Sequence, residues 1–173
     1  MFAAIGAIGL IIFLLLSVSA LFSAAETAMT GASRARMHQL EREGDKAAAR
    51  VNKLIQQQEK MIGALLLGNS LINILSSALV TDVLEQHLPK PWGVIISTTV
   101  MTVLVLVYAE VLPKTVAIGR PDDVSRVLSW PTLIAVKAFG PIIAAIQWCI
   151  VRFLALFGFE VSPEADASAA QEE

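Results

Sequence analysis

The chain has 173 residues, of which 55% are hydrophobic and 16% charged, and its mean hydropathy is +0.67. Soluble domains carry about 25% charged residues, so the composition excludes an ordinary water-soluble domain and points to a membrane protein. The formal net charge of −2 identifies no partner, because the distribution of charge between loops matters more than its total, and no nucleic-acid partner is expected.

Residues 1–25, MFAAIGAIGLIIFLLLSVSALFSAA, contain no charge. A helix needs about 20 apolar residues to cross a hydrocarbon core about 30 Å thick, and the pattern predicts a first span over about residues 2–30. It has no basic leading segment, and its apolar run exceeds the roughly 7–15 residues of a signal peptide, so it is expected to remain in the mature protein. Ser19, Ser23, Glu26 and Thr30 fall at i, i+4, i+7 and i+11, which stacks them on one helix face.

Residues 31–60 hold seven Lys and Arg. Met37 and Leu40, then Ala47, Ala48, Val51, Leu54 and Ile55, recur at helical spacing on either side of Gly44. The pattern predicts an amphipathic helical hairpin over about 33–58, lying against the inner membrane face or, alternatively, engaging a soluble regulator.

Residues 61–81 are again uncharged and predict a second span over about 60–84. It carries Asn69, Asn73 and Ser76 on one face. A third span over about 91–112 comes next, closed by YAEVLPKT at 108–115. There Thr99 and Glu110, eleven positions apart, are placed on a common face.

The next apolar stretch, 127–158, is cut by Lys137 and Arg152 into runs of 10 and 14 residues, and Pro131 and Pro141 are expected to interrupt any continuous helix. Runs of about 10–14 residues are more often interfacial than spanning. With Trp130 and Trp148 as interface anchors, the expectation is a bent helix along the membrane surface over about 121–158, in preference to a fourth crossing. The fold class is therefore an all-α membrane protein. It has three transmembrane helices, a cytoplasmic hairpin and a bent juxtamembrane belt helix, together forming one transmembrane domain over 1–159.

Residues 160–173, EVSPEADASAAQEE, read as a flexible acidic tail or the start of a linker. Basic residues are abundant in 31–60, number three in 114–126 and one in 82–90. The positive-inside rule then sets the N-terminus outside and the C-terminus in the cytoplasm of a multi-pass cell-membrane protein. Cys149 is the sole cysteine, an inert thiol in an apolar setting, and His38 and His87 read as surface residues. No nucleophile and base pair is apparent, so an enzyme is not expected.

Glu110 is the sharpest feature. An ionisable residue in a membrane segment is a functional-site hypothesis by default, against the bland alternative of an interfacial ion pair with Lys114. Pro113 lacks an amide hydrogen, so in an α-helix the carbonyl of Ala109 loses its partner. Ser19 and Ser76 fit simple close packing of helices, and Asn69 with Asn73 fits either interhelical hydrogen bonding or ligation. Together these are a carboxylate, two amide oxygens, hydroxyls and a freed carbonyl. Such all-oxygen sets suit hard cations, whereas zinc and copper sites show His or Cys. At 1.5 Å per residue, Asn69 lies about 13 Å from Lys60 and Glu110 about 6 Å from Lys114, in the inner half of the membrane.

Three segments, LFSAAETAMTGASRARM at 21–37, LLGNSLINI at 66–74 and AEVLPKTVAIGRPDDVS at 109–125, resemble the signature segments of the CorC/CNNM family of magnesium transporters. The resemblance implies a homodimer in the lipid bilayer, with three spans and a juxtamembrane belt, exporting Mg²⁺ against Na⁺ entry. It implies that Ser23, Asn69, Asn73 and Glu110 hold the ion, with Ser19 a weaker addition. The family often has glycine before the glutamate, where this chain has Ala109, which narrows backbone access to an ion. Family members normally continue into a pair of nucleotide-binding CBS modules, which this sequence does not include. Two other readings stay open: a transporter of Na⁺ or another cation, and a non-transporting scaffold or sensor whose polar stripes are dimer contacts.

Overall fold

The computed structural model describes residues 2–89 and 91–156, and every regular element among them is helical. In chain order these are α1 (Phe2–Gly31), α2 (Arg34–Arg42), α3 (Lys46–Ile55), α4 (Gln58–Glu85) and α5 (Trp92–Leu104). A π-helical segment (Val105–Val111), α6 (Leu112–Gly119) and α7 (Pro121–Leu156) complete the order. The tail from 160 onward lies outside the described residues.

Four helical stretches, not three, are long and apolar enough to cross a membrane: Gly6–Gly31, Gln58–Glu85, Trp92–Gly119 and Pro121–Leu156. The protein is accordingly a multi-pass membrane protein in contact with lipid. Ile74, Leu71, Val103 and Ile118 lie on its surface, Ile74 and Ile118 about 70% exposed. Large apolar side chains in such numbers on an outer surface meet hydrocarbon and not water.

The fourth stretch departs from the expectation that prolines would interrupt it. Pro131 and Pro141 both lie within α7. Each removes one backbone donor, but proline is tolerated in membrane helices where nearby hydroxyls re-satisfy the backbone. The carbonyl that Pro131 frees is that of Val127; the nearby hydroxyls of Ser125, Ser129 and Thr132 donate instead to the carbonyls of Asp122, Arg126 and Leu128, and α7 continues through the missing bond.

Two compact units divide between Gly140 and Pro141. In the first, the core joins Ala24, Ala25, Ala28 and Met29 of α1 with Met61 and Leu65 of α4, Met37 of α2, and Ala48, Val51 and Leu54 of α3. Lipid tails are as apolar as these side chains, so helix association in the membrane rests on close packing of small residues, and the alanine-rich face of α1 supplies it. In the second unit the Arg152 guanidinium lies 5.5 Å from the centre of the Trp148 ring. Trp130 and Trp148 are exposed to 60% and 63%.

Gly68 marks a close approach to α4. A Cβ there would sit 2.6 Å from Cε2 of Phe22 and 3.0 Å from Cε2 of Phe139, so Gly68→Ala is overpacked from two sides. The expected cost is about 1–3 kcal/mol, read as a lowered denaturation midpoint in detergent. An unchanged midpoint would mean that both rings swing aside freely.

The loop after α1 folds as two short helices because each begins with a cap. Ser33 accepts the Arg36 amide at the start of α2, and Asp45 accepts the Ala47 and Ala48 amides at the start of α3. Gly44, at φ +95°, turns the chain between them, a conformation that costs glycine little. Asp45 also pairs with Arg126 at 2.5 Å, and Arg36 with Asp122 at 3.3 Å. The Arg50 guanidinium donates to Ser129 Oγ at 3.1 Å. These contacts tie both short helices to the first turns of α7.

The Ala47 amide holds the Asp45 carboxyl below its ordinary value of 3.8, helped by Ala48 and Arg126 and opposed by desolvation. A depressed folded-state pKa stabilises the fold above the unfolded value and is lost as the pH falls through the folded one. The thermal midpoint of Asp45→Asn should therefore trail the wild type at neutral pH, and the gap should narrow as the pH falls below 3.8 and through the lower folded-state value. A gap that does not narrow at all below pH 3.8 would show that the carboxylate's charge is not what holds α3.

Candidate cation site

On α1, Ser19 and Ser23 lie one turn apart, and both are fully buried. On α4, Asn69 and Asn73 are also one turn apart. The two pairs meet: Ser19 Oγ contacts Asn69 Oδ1 and lies 2.8 Å from Asn73 Oδ1. A hydroxyl carries one proton and can donate to only one of two carbonyl oxygens. Three oxygens therefore meet around one hydroxyl hydrogen.

One turn further along α1, Ser23 Oγ is buried without a hydrogen-bond partner. Buried hydroxyls are nearly always satisfied, and Ser23 shares this unpartnered state with Ser76 Oγ on α4. These residues fit a hard cation by the chemistry of their donors. Among the described residues, no three of His, Cys, Asp and Glu gather in one place.

Glu110 is half-buried in the π-helical segment and, with Asn73, lines a cavity of about 520 Å³ between α4 and α5. Its carboxylate makes no ion pair or hydrogen bond within the described residues. Lys114, the alternative partner offered by the sequence, instead lies 4.0 Å from Glu26. Glu26 thus serves the end of α1 that leads into the basic loop, and Thr30 turns back onto the Glu26 carbonyl at 2.9 Å.

The π-helical segment changes two local expectations. Leu112 N–H bonds to Val107 O, five residues back. In that register the carbonyl opposite the missing amide of Pro113 is that of Tyr108, one position before Ala109; Ala109 itself is fully buried. A π turn also holds one residue more than an α turn, which rotates the rest of the helix by about 100°. Glu110 consequently shares its cavity with Thr98 and Thr102, while Thr99 is exposed and bonds to its own helix at Ile95 O.

Sequence reasoning missed Tyr108 and Gly68. Tyr108 Oη lies 3.1 Å from Ser17 Oγ, and its ring is 5.9 Å from that of Phe13, so it fixes the π-helical segment to α1 two residues from Ser19. The signal was available: this is the only tyrosine in the chain, placed in mid-span where its hydroxyl needs a partner. The histidines have local roles. His38 lies against Asn52 and Glu41, and His87 against the Val83 carbonyl.

Fold and site together define a multi-pass helical membrane protein with an oxygen-lined polar centre inside its bundle. Residues 10–173 match the family described as the cyclin M transmembrane N-terminal domain, and the chain belongs to that family. It is similar to the UPF0053 inner membrane protein YfjD of Escherichia coli, 44% identical over 108 residues that cover 62% of this chain and 25% of that protein. A UPF0053 protein of Haemophilus influenzae is 28% identical over 94% of this chain and 39% of its own length. A putative chloroplastic DUF21 domain-containing protein of Arabidopsis thaliana is 32% identical over 87% and 23%. The chain thus spans about a quarter to two fifths of the length of these relatives.

Proposed function

We propose that this domain carries Mg²⁺ across the cell membrane, exporting it from the cytosol against Na⁺ entry. The observation that carries the reading is the meeting of Ser19, Asn69 and Asn73 oxygens beside the orphaned Ser23 hydroxyl and the unpaired Glu110. Glu110 supplies charge, and the amides and hydroxyls supply neutral oxygens. Mg²⁺ gives up water reluctantly, and one carboxylate per protomer leaves it under-neutralised, so the bound state is weak enough to release the ion. Storage would demand more carboxylates.

In this reading α1, α4 and the α5–α6 stretch are the three spans, with the N-terminus outside. The α2–α3 hairpin and α7 form a cytoplasmic belt, and the unit works as a homodimer without enzymatic activity. The longer family members leave room for the nucleotide-binding CBS modules that the motif resemblance implies.

Calorimetric titration of the detergent-purified protein with Mg²⁺, in K⁺ buffer and then with Na⁺ in its place, tests the proposal. Saturable binding that weakens in Na⁺ is expected. Na⁺ binding without Mg²⁺ binding would make this a transporter of the monovalent ion. Binding of neither would leave the polar residues as dimer contacts of a scaffold.

A further inference from the structure

The cavity that begins at Glu110 and Asn73 does not end there. Along α4 it is lined by Ser77 and Thr81 beside Ile74, and along α5 by Ser97 and Thr98 beside Met101, so the hydroxyls form a polar strip on an otherwise apolar wall. Asn73, Ser77 and Thr81 succeed one another at intervals of four, on one face of α4. From Asn73 to Thr81 the helix rises about 12 Å, and the remaining four residues to the end of α4 add only about 6 Å. The cavity therefore leads from the cation site toward the end of the spans opposite the basic loop.

Its chemistry changes along the way. At the near end stands a carboxylate with no partner. In the middle, the Ser77 and Thr98 hydroxyls make no hydrogen bond within the described residues. At the far end Thr81 Oγ1 donates to Ser97 Oγ at 3.0 Å, and Ser97 Oγ donates to the Val94 carbonyl at 2.9 Å. Gly93 lets the start of α5 abut the end of α4, where an added Cβ would meet Glu85 at 3.1 Å. The far end is thus drawn together by a hydroxyl chain and a close helix contact.

We infer that this cavity is the release route for the cation, with the Thr81–Ser97 hydrogen bond as its outer constriction; the inference rests on the transport reading above. Neutral hydroxyls can replace part of a hard cation's shell and yield it again, which a route needs and a storage site does not. Space is adequate. Six waters at about 30 Å³ each occupy about 180 Å³, well within the 520 Å³ of the cavity. The ion leaves a charged ligand for uncharged ones and regains water as it moves, so the gradient of ligand strength runs outward.

The test uses the full chain with Cys149→Ser, reconstituted in vesicles, and a single introduced thiol, Ser77→Cys. Mg²⁺ flux is followed by an enclosed indicator dye before and after treatment with a small cationic methanethiosulfonate, and Mg²⁺ binding is measured by calorimetry on the same preparation. The expected result is labelling from the aqueous phase, a flux reduction of at least tenfold, and recovery on reduction with dithiothreitol. Leu75→Cys, on the lipid-facing side of α4, should show no such loss. Thr98→Trp should block flux in the same way without reagent, with binding retained within about twofold.

Binding that persists while modified Ser77→Cys transports at the unmodified rate overturns the route alone, as does a Ser77→Cys thiol that the reagent cannot reach. Absence of Mg²⁺ binding by the parent protein overturns the transport reading and the route with it.

Discussion

Glu110→Gln should lower Mg²⁺ affinity by at least about a hundredfold while leaving the fold as stable as before or more so. The two effects have one origin. Two unit charges 4 Å apart interact by about 4 kcal/mol at an effective dielectric of 20, so even a fraction of that attraction for a divalent ion exceeds the roughly 2.8 kcal/mol that two decades of affinity require. In the empty site the same carboxylate has no partner, and an unpaired charge inside a membrane protein is held at a cost. Glutamine keeps the shape and removes the charge, so the thermal midpoint should not fall. Calorimetry and thermal denaturation of the variant check both halves. A destabilised variant with intact binding would place Glu110 in a structural contact and not at the ion.

The double substitution Asn69→Leu, Asn73→Leu is expected to do the reverse combination: loss of binding together with loss of stability. Each single variant leaves Ser19 Oγ one amide oxygen to contact, so the fold should tolerate either, with affinity reduced about tenfold, or 1.4 kcal/mol. Removing both strands a fully buried hydroxyl, at about 1–3 kcal/mol for an unsatisfied group, the lower end applying where the serine turns to its own helix backbone. Because the two amides share one partner, the stability costs should be non-additive. Denaturation midpoints of the two singles and the double complete the cycle, and strict additivity would mean that Ser19 does not join them.

Much of the site is readable from spacing. Four-residue intervals bring Ser19 and Ser23, and Asn69 and Asn73, to one face of each span, and α1 and α4 do bring Ser19 to both amides. What fails is register in the third span. The periodicity of an α-helix assigns Thr99 to the Glu110 face, but the π turn between them shifts the face by one residue, to Thr98 and Thr102. No local residue preference announces a π turn; it is set by what Tyr108 and Ala109 must meet on α1 and in the core. Ser77 is passed over for Ser76 by the same narrowness, since adjacent positions point about 100° apart. Ser76 is buried with an unpartnered hydroxyl, and Ser77 lines the cavity.

The expectation that Pro131 and Pro141 interrupt the helix fails, because it treats a proline as a break. Helices end where backbone groups can find other partners, and a membrane offers few, so Pro131 and Pro141 remain inside α7. The short connection of α2 and α3 is better marked, with Ser33 and Asp45 as caps and Gly44 between them.

The exposed tryptophans of α7 make that helix its own depth gauge. Trp130 and Trp148 are eighteen positions apart, which in a crossing helix amounts to about 27 Å of rise and nearly the whole hydrocarbon thickness. Along a surface helix the two indoles share one depth. With Trp92→Phe removing the third indole, phospholipids brominated at successive acyl carbons would quench a belt helix with a single shallow profile. A spanning helix would give one indole near each headgroup layer, each reached by quencher confined to its own leaflet.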